Sequence, residues 1–106
     1  MAIIMLTAWY PLFKRMEVAK AAIEIAKKFP PDETIAKNLA TGFMRDKNGI
    51  KVVIMNEVME GKLQEAIELL NNGLELYNDI EGFGARFDLM ATPLEAWESI
   101  NMKPPD

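Results

Sequence analysis

Residues 2–11 read "AIIMLTAWYP", and the fold turns on how this stretch is read. As a strand, it puts Ile3, Met5, Thr7 and Trp9 on one face and Ile4, Leu6, Ala8 and Tyr10 on the other. A strand packed against a single layer alternates apolar with polar side chains. This one is apolar on both faces, so both faces need cover. Pro11 ends it and suits the entry to a helix.

Downstream the period changes to that of a helix, over Leu12 to Phe29. Met16, Ala19, Ile23 and Ala26 recur at spacings of three and four, as do Val18, Ala22, Ile25 and Phe29. Together they predict a broad apolar face. Glu17, Lys20, Glu24 and Lys28 form the opposite, solvated stripe. The prolines at 30 and 31 stop the helix. A second strand is expected over about Ile35 to Arg45, and a third, rich in Val and Ile, over Ile50 to Val58. Between them "DKNGIK" carries Asn48-Gly49, the dipeptide favoured in a two-residue type I′ hairpin. That loop would pair Lys47 with Ile50, Phe43 with Ile54, Met44 with Val53 and Thr41 with Asn56.

The second helix is expected over about Lys62 to Ile80, with Leu63, Ala66, Ile67, Leu70, Leu74 and Tyr77 on one face. Gly73 inside it marks a kink, a close contact or a split at "NNG". Gly82 and Gly84 break the chain before a fourth strand, about Ala85 to Ala91. Thr92-Pro93-Leu94-Glu95 then reads as a helix start: an N-cap threonine, a proline at the first position and a glutamate closing the capping box. The short last helix reaches about Ile100, and residues 103–106 form a tail.

The order is therefore βαββαβ plus a terminal helix, one α+β domain over residues 1–106 of the split-βαβ, ferredoxin-like kind. Right-handed crossovers put both long helices on one face of a four-stranded antiparallel sheet in the order 4-1-3-2. Strands one and three lie at its centre. Both are apolar on the uncovered side too, so a second copy of the chain is the expected cover, across a two-fold axis.

This order and patterning, from Ala2 to about Thr92, resembles the dimeric α+β-barrel group of ferredoxin-like proteins. The group includes monooxygenases of the antibiotic-biosynthesis type, haem-degrading enzymes and muconolactone-isomerase-like proteins. The resemblance implies a homodimer joined through the open sheet face. In its monooxygenase-like members, Asn, Trp or Tyr are thought to surround an electron-rich aromatic substrate without a cofactor. The haem-binding members use a histidine ligand, and this chain has none.

Composition narrows the chemistry. The 106 residues include neither cysteine nor histidine. Disulfides, thiol nucleophiles, imidazole bases and Cys- or His-ligated metals are thereby excluded. A general base would have to be Asp, Glu, Tyr or Lys. With 12 basic and 16 acidic residues the net charge is −4, which disfavours nucleic acid and anionic membranes as partners. The third strand, "IKVVIMNEV", also lacks the aromatics of an RNA-recognition module. The first apolar run is too short to span a bilayer and follows no basic segment, so a cytoplasmic protein is expected. No metal site and no cofactor are expected.

Polar and aromatic residues among apolar strand neighbours are the candidates for a ligand site. Trp9 and Tyr10 close the first strand, Asn38 and Thr41 lie in the second, Asn56 and Glu57 interrupt the third, and Arg86 and Asp88 alternate with Phe87 and Leu89 in the fourth. Trp9, Tyr10, Asn38, Asn56, Glu57 and Arg86 are taken as the ligand-binding set, in a pocket between sheet and helices. Each has a structural reading beside it: Trp9 as packing, Glu57 as a solvated strand-end carboxylate, Arg86 with Asp88 as an edge ion pair. Trp97 is read as the anchor of the last helix. The function expected is binding of a small apolar or aromatic molecule. The competing classes are a cofactor-independent monooxygenase or isomerase, and a structural subunit without a ligand.

Overall fold

The computed structural model describes residues 2–103 and Pro105. Met1, and Pro104 and Asp106 of the expected tail, lie outside the described residues. The strands are β1 (Ala2–Tyr10), β2 (Ala36–Asp46), β3 (Gly49–Val58) and β4 (Gly84–Ala91). The helices are α1 (Arg15–Lys28), α2 (Leu63–Leu74) and the short α3 (Pro93–Glu98). All strand pairs are antiparallel, and the sheet order is β2-β3-β1-β4. This is the ferredoxin-like βαββαβ arrangement that the pattern predicts.

β1 is one of the two central strands, flanked by β3 and β4 over nearly its whole length. Its even-numbered side chains meet the two long helices. Ile4 packs with Val58 and with Ala66 of α2, while Tyr10 packs with Val52 and with Val18 of α1. Ile4, Leu6, Ala8 and Tyr10 are all buried. The odd-numbered side chains share the other face with Lys51, Val53, Met55 and Glu57 of β3 and Arg86, Asp88 and Met90 of β4. Thr7 is buried there at the centre, in register with Val53 and Arg86, whereas Trp9 at the strand end is 44% exposed.

α1 docks more narrowly than its sequence suggests. Val18 is buried and Ile25 and Phe29 are half-buried, but Met16 and Ile23 are exposed. Two apolar stripes run along this helix, and only one touches the sheet. α2 ends earlier than expected, tightening into a 3-10 turn at Glu75–Tyr77. Gly73, buried within α2, is a close-contact position: a Cβ there would stand 3.4 Å from Cγ2 of Ile25 on α1.

The β2–β3 hairpin corrects the expected turn. Asp46 pairs with Gly49, so the loop residues are Lys47 and Asn48. Neither has a positive φ, which rules out a type I′ turn. Instead the Asp46 carboxylate accepts the Asn48 N–H at 2.7 Å, and Gly49 takes the unusual backbone with φ 129°. Phe43 therefore faces Val52 and Met44 faces Lys51. From the turn to Ala40 the register differs from the expected one by two residues, an even number, so these side chains stay on their expected faces. Farther along, a bulge between Asn38 and Ala40 shifts the register again.

No helix among the described residues is long and apolar enough to cross a membrane. No group of three or more Asp or Glu among them could hold a metal ion.

Candidate functional site

An apolar-walled cleft of about 300 Å³ lies between the sheet and the two long helices. Its sheet wall is Ile4 and Leu6 of β1, Ile54 and Asn56 of β3, and Ala36 and Asn38 of β2. Its helix wall is Ile25 of α1 with Ala66, Leu70, Gly73 and Leu74 of α2. Small residues at 36, 66 and 73 leave room that larger side chains would fill. Phe29, Pro31 and Asp32, after α1, complete one end. Asp32, Pro31 and Asn38 are exposed, which places the mouth on the β2 side.

Two asparagines break the apolar wall. They sit opposite one another in the β2–β3 pair because the bulge after Asn38 resets the register. Asn38 Nδ2 donates to Asn56 Oδ1 at 3.0 Å and to Thr41 Oγ1 at 3.2 Å. It also lies 3.4 Å from the carbonyl oxygens of Ala40 and Met55. Thr41 Oγ1 lies 3.4 Å from Asn38 Oδ1 in return.

Two titratable groups line the cleft. Asp32 Oδ1 accepts the Thr34 hydroxyl at 2.6 Å and the Thr34 N–H at 2.9 Å. These bonds hold its carboxyl below the usual range, the hydroxyl contributing most. The Asp32 carbonyl also accepts the N–H groups of Ile35 and Ala36, so this residue turns the chain into β2. Tyr77 stacks on Phe83 with ring centroids 4.4 Å apart, and Tyr10 stacks on the same ring at 6.3 Å. Burial pushes the Tyr77 phenol above its ordinary value, with the neighbouring Tyr10 adding to the shift.

Of the six residues taken from the sequence, Asn38 and Asn56 line this cleft and touch each other. Tyr10 points to the same side of the sheet but belongs to the core beneath Phe83. Trp9, Glu57 and Arg86 lie on the opposite face. Trp9 lies so near Gly84 that a Cβ there would stand 2.5 Å from its indole. With Tyr10 it borders a second depression, of about 350 Å³, beside Pro11, Asp46 and Lys51. Arg86 Nε lies 3.3 Å from Asp88 Oδ2, an exposed ion pair whose acceptor oxygen makes no hydrogen bond among the described residues.

Asp32 and Tyr77 were not among the sequence candidates. "PDET" carried a signal for the first, since Asp followed two residues later by Thr favours a side-chain-closed turn. Tyr77 reads from sequence only as another apolar helix position.

No family model matches the chain, and no curated protein matches it. Two matches among solved structures differ in strength. A de novo designed protein, Foldit4, aligns with a TM-score of 0.54 and 8% identity over 86% of this chain and 97% of that one. A formyltetrahydrofolate deformylase from Pseudomonas putida KT2440 gives a TM-score of 0.47 and 9% identity. That match covers 88% of this chain and 29% of the deformylase, so the chain spans under a third of the enzyme's length. At such identity the likeness to the designed protein is one of fold alone. The chain is thus a ferredoxin-like α+β protein, assigned by its topology.

Proposed function

We propose that the protein binds a small apolar or aromatic molecule in the cleft between sheet and helices. The observation that carries this reading is the cleft itself. Its volume of about 300 Å³ lies at the lower end of small-molecule sites. Its wall is mostly aliphatic, with Phe29 and Tyr77 beside one hydrogen-bonded asparagine pair and Asp32 at the mouth. The titratable groups lining it favour binding over proton transfer. The Asp32 carboxyl is moved down and the Tyr77 phenol up, both away from the neutral range where a general base or acid works best. A cofactor-independent monooxygenase or isomerase would need one of these groups returned toward neutrality by its substrate.

Naphthalene is a suitable first probe, because its rigid bicycle matches the apolar wall. Titration into isotope-labelled protein should shift the amide signals of Ala36, Ala66 and Gly73, which line the cleft. Leu74→Trp, which fills it, should abolish those shifts. No shifts, or shifts confined to Met5, Val53 and Met55 on the opposite face, would refute the reading.

A specific observation supports a second part of the proposal, a homodimer through the opposite sheet face. Ile3, Met5, Val53, Met55 and Met90 put an apolar centre on the face that the two long helices leave. The partner is a second copy of this chain, in the manner of a dimeric α+β barrel.

A further inference from the structure

The hydrogen bonds around Asn38 fix how Asn56 presents itself. The Asn38 amide group facing Asn56 lies within 3.4 Å of two backbone carbonyl oxygens, those of Ala40 and Met55. Carbonyl oxygens only accept, so that group is the NH2, which also only donates. Asn56 must then turn its oxygen toward it, as the 3.0 Å contact has it. The amide nitrogen of Asn56 remains, a pure donor on a residue lining the cleft, with no partner among the described residues. The Tyr77 hydroxyl can donate or accept and does not discriminate between ligands. At the mouth stands Asp32, whose carboxylate is acceptor-only and negatively charged.

We propose that the cleft selects a neutral apolar ring compound carrying a hydrogen-bond acceptor, a ketone or ester carbonyl, which takes its bond from Asn56 Nδ2. This rests on the reading that the cleft binds a small molecule. A donor is needed because a carbonyl leaving water for a mostly aliphatic wall loses its hydration. Negative charge is disfavoured twice over, by that apolar wall and by the Asp32 carboxylate.

Three probes of one shape separate the terms: 2-acetylnaphthalene, its alkene isostere 2-isopropenylnaphthalene, and 2-naphthoate. With the wild-type protein the ketone should bind at least as tightly as the alkene, although water holds the ketone more strongly, and naphthoate should bind most weakly. Asn56→Leu removes the donor and leaves Asn38 its two backbone carbonyls. In that variant the ketone should fall roughly three- to tenfold behind the alkene, the worth of one hydrogen bond. A wild-type ketone several-fold weaker than the alkene overturns the proposal, and that series stands whether or not the variant folds. So does naphthoate binding tightest, or a ketone affinity unmoved by Asn56→Leu. If none of the three binds, the small-molecule reading falls and takes this proposal with it. If the alkene binds without the expected ranking, this proposal falls alone.

Discussion

Gly49 shows how much one residue decides. Its φ of 129° lies where side chains are strained, and a Cβ there would run into the carbonyl oxygen of Tyr10. The obstacle is backbone at the end of a central strand, and it cannot rotate aside. Gly49→Val should therefore cost roughly 1–3 kcal/mol of stability. Gly61→Val is the matched control: φ is 76° there, and no atom lies within 4 Å of the added Cβ. It carries conformational strain without the clash, and its thermal midpoint should fall less. Equal losses would show that the Tyr10 contact contributes nothing. The "NG" pair marks the hairpin in sequence, but the loop lies one residue earlier and the glycine is there for a different reason. Lys47 and Asn48 turn without positive φ, and the glycine is required by its approach to β1.

The terminal helix α3 is the element whose sequence signal and structure agree most closely. Thr92 N–H donates to Glu95 Oε1 at 2.9 Å, and Glu95 N–H donates to Thr92 Oγ1 at 3.2 Å, closing the capping box. The bond from the Thr92 backbone holds the Glu95 carboxyl below its ordinary value. A depressed carboxyl stabilises the fold fully above the unfolded value, about 4.3, and the contribution fades as pH falls through the lower folded value. α3 should accordingly loosen below about pH 4, read by Trp97 fluorescence in a Trp9→Phe background. Thr92→Ala should weaken it at neutral pH by about 1 kcal/mol. A Trp97 signal flat from pH 7 to 3 would refute the linkage. Elsewhere legibility follows how local the determinant is. β1 and α2 declare themselves through their periods, and the capping box through adjacent residues. The docking side of α1 does not, because its two apolar stripes look alike until the sheet selects Val18 and Ile25 over Met16 and Ile23. The site was half legible for a similar reason. Asn38 and Asn56 stand out as polar interruptions, yet the expected two-residue loop pairs Asn56 with Thr41, and the observed turn, continued regularly, would pair it with Leu39. A bulge at Leu39, which no residue type announces, brings the two amides together.

At the scale of the whole molecule the chain is a thin slab, 49 × 32 × 18 Å, with a radius of gyration of 15.7 Å. A compact chain of about this length has a radius near 13 Å. A slab has two broad faces, and the long helices cover one. Four strands about 4.8 Å apart, with about nine residues at 3.3 Å rise, make a face of roughly 600 Å² before side-chain relief. A stable interface needs about 800 Å² per partner, so nearly all of this face would have to join. Its centre is suited to that: Ile3, Met5, Val53 and Met55 form an apolar band around the buried Thr7, with Lys51, Glu57 and the Arg86–Asp88 pair toward its margins. Neighbouring residues of β1 separate interface from core. Met5 points to the proposed interface, and Leu6, 6% exposed, to the helices. Met5→Lys should give a folded monomer with unchanged circular dichroism and intact naphthalene binding. Leu6→Lys should unfold the subunit, because it buries an unpaired charge. Sedimentation equilibrium of the unmodified protein at tens of micromolar should return twice the chain mass of 12.0 kDa. A single 12.0 kDa species there would refute the dimer, and so would a dimer that survives Met5→Lys with its affinity unchanged.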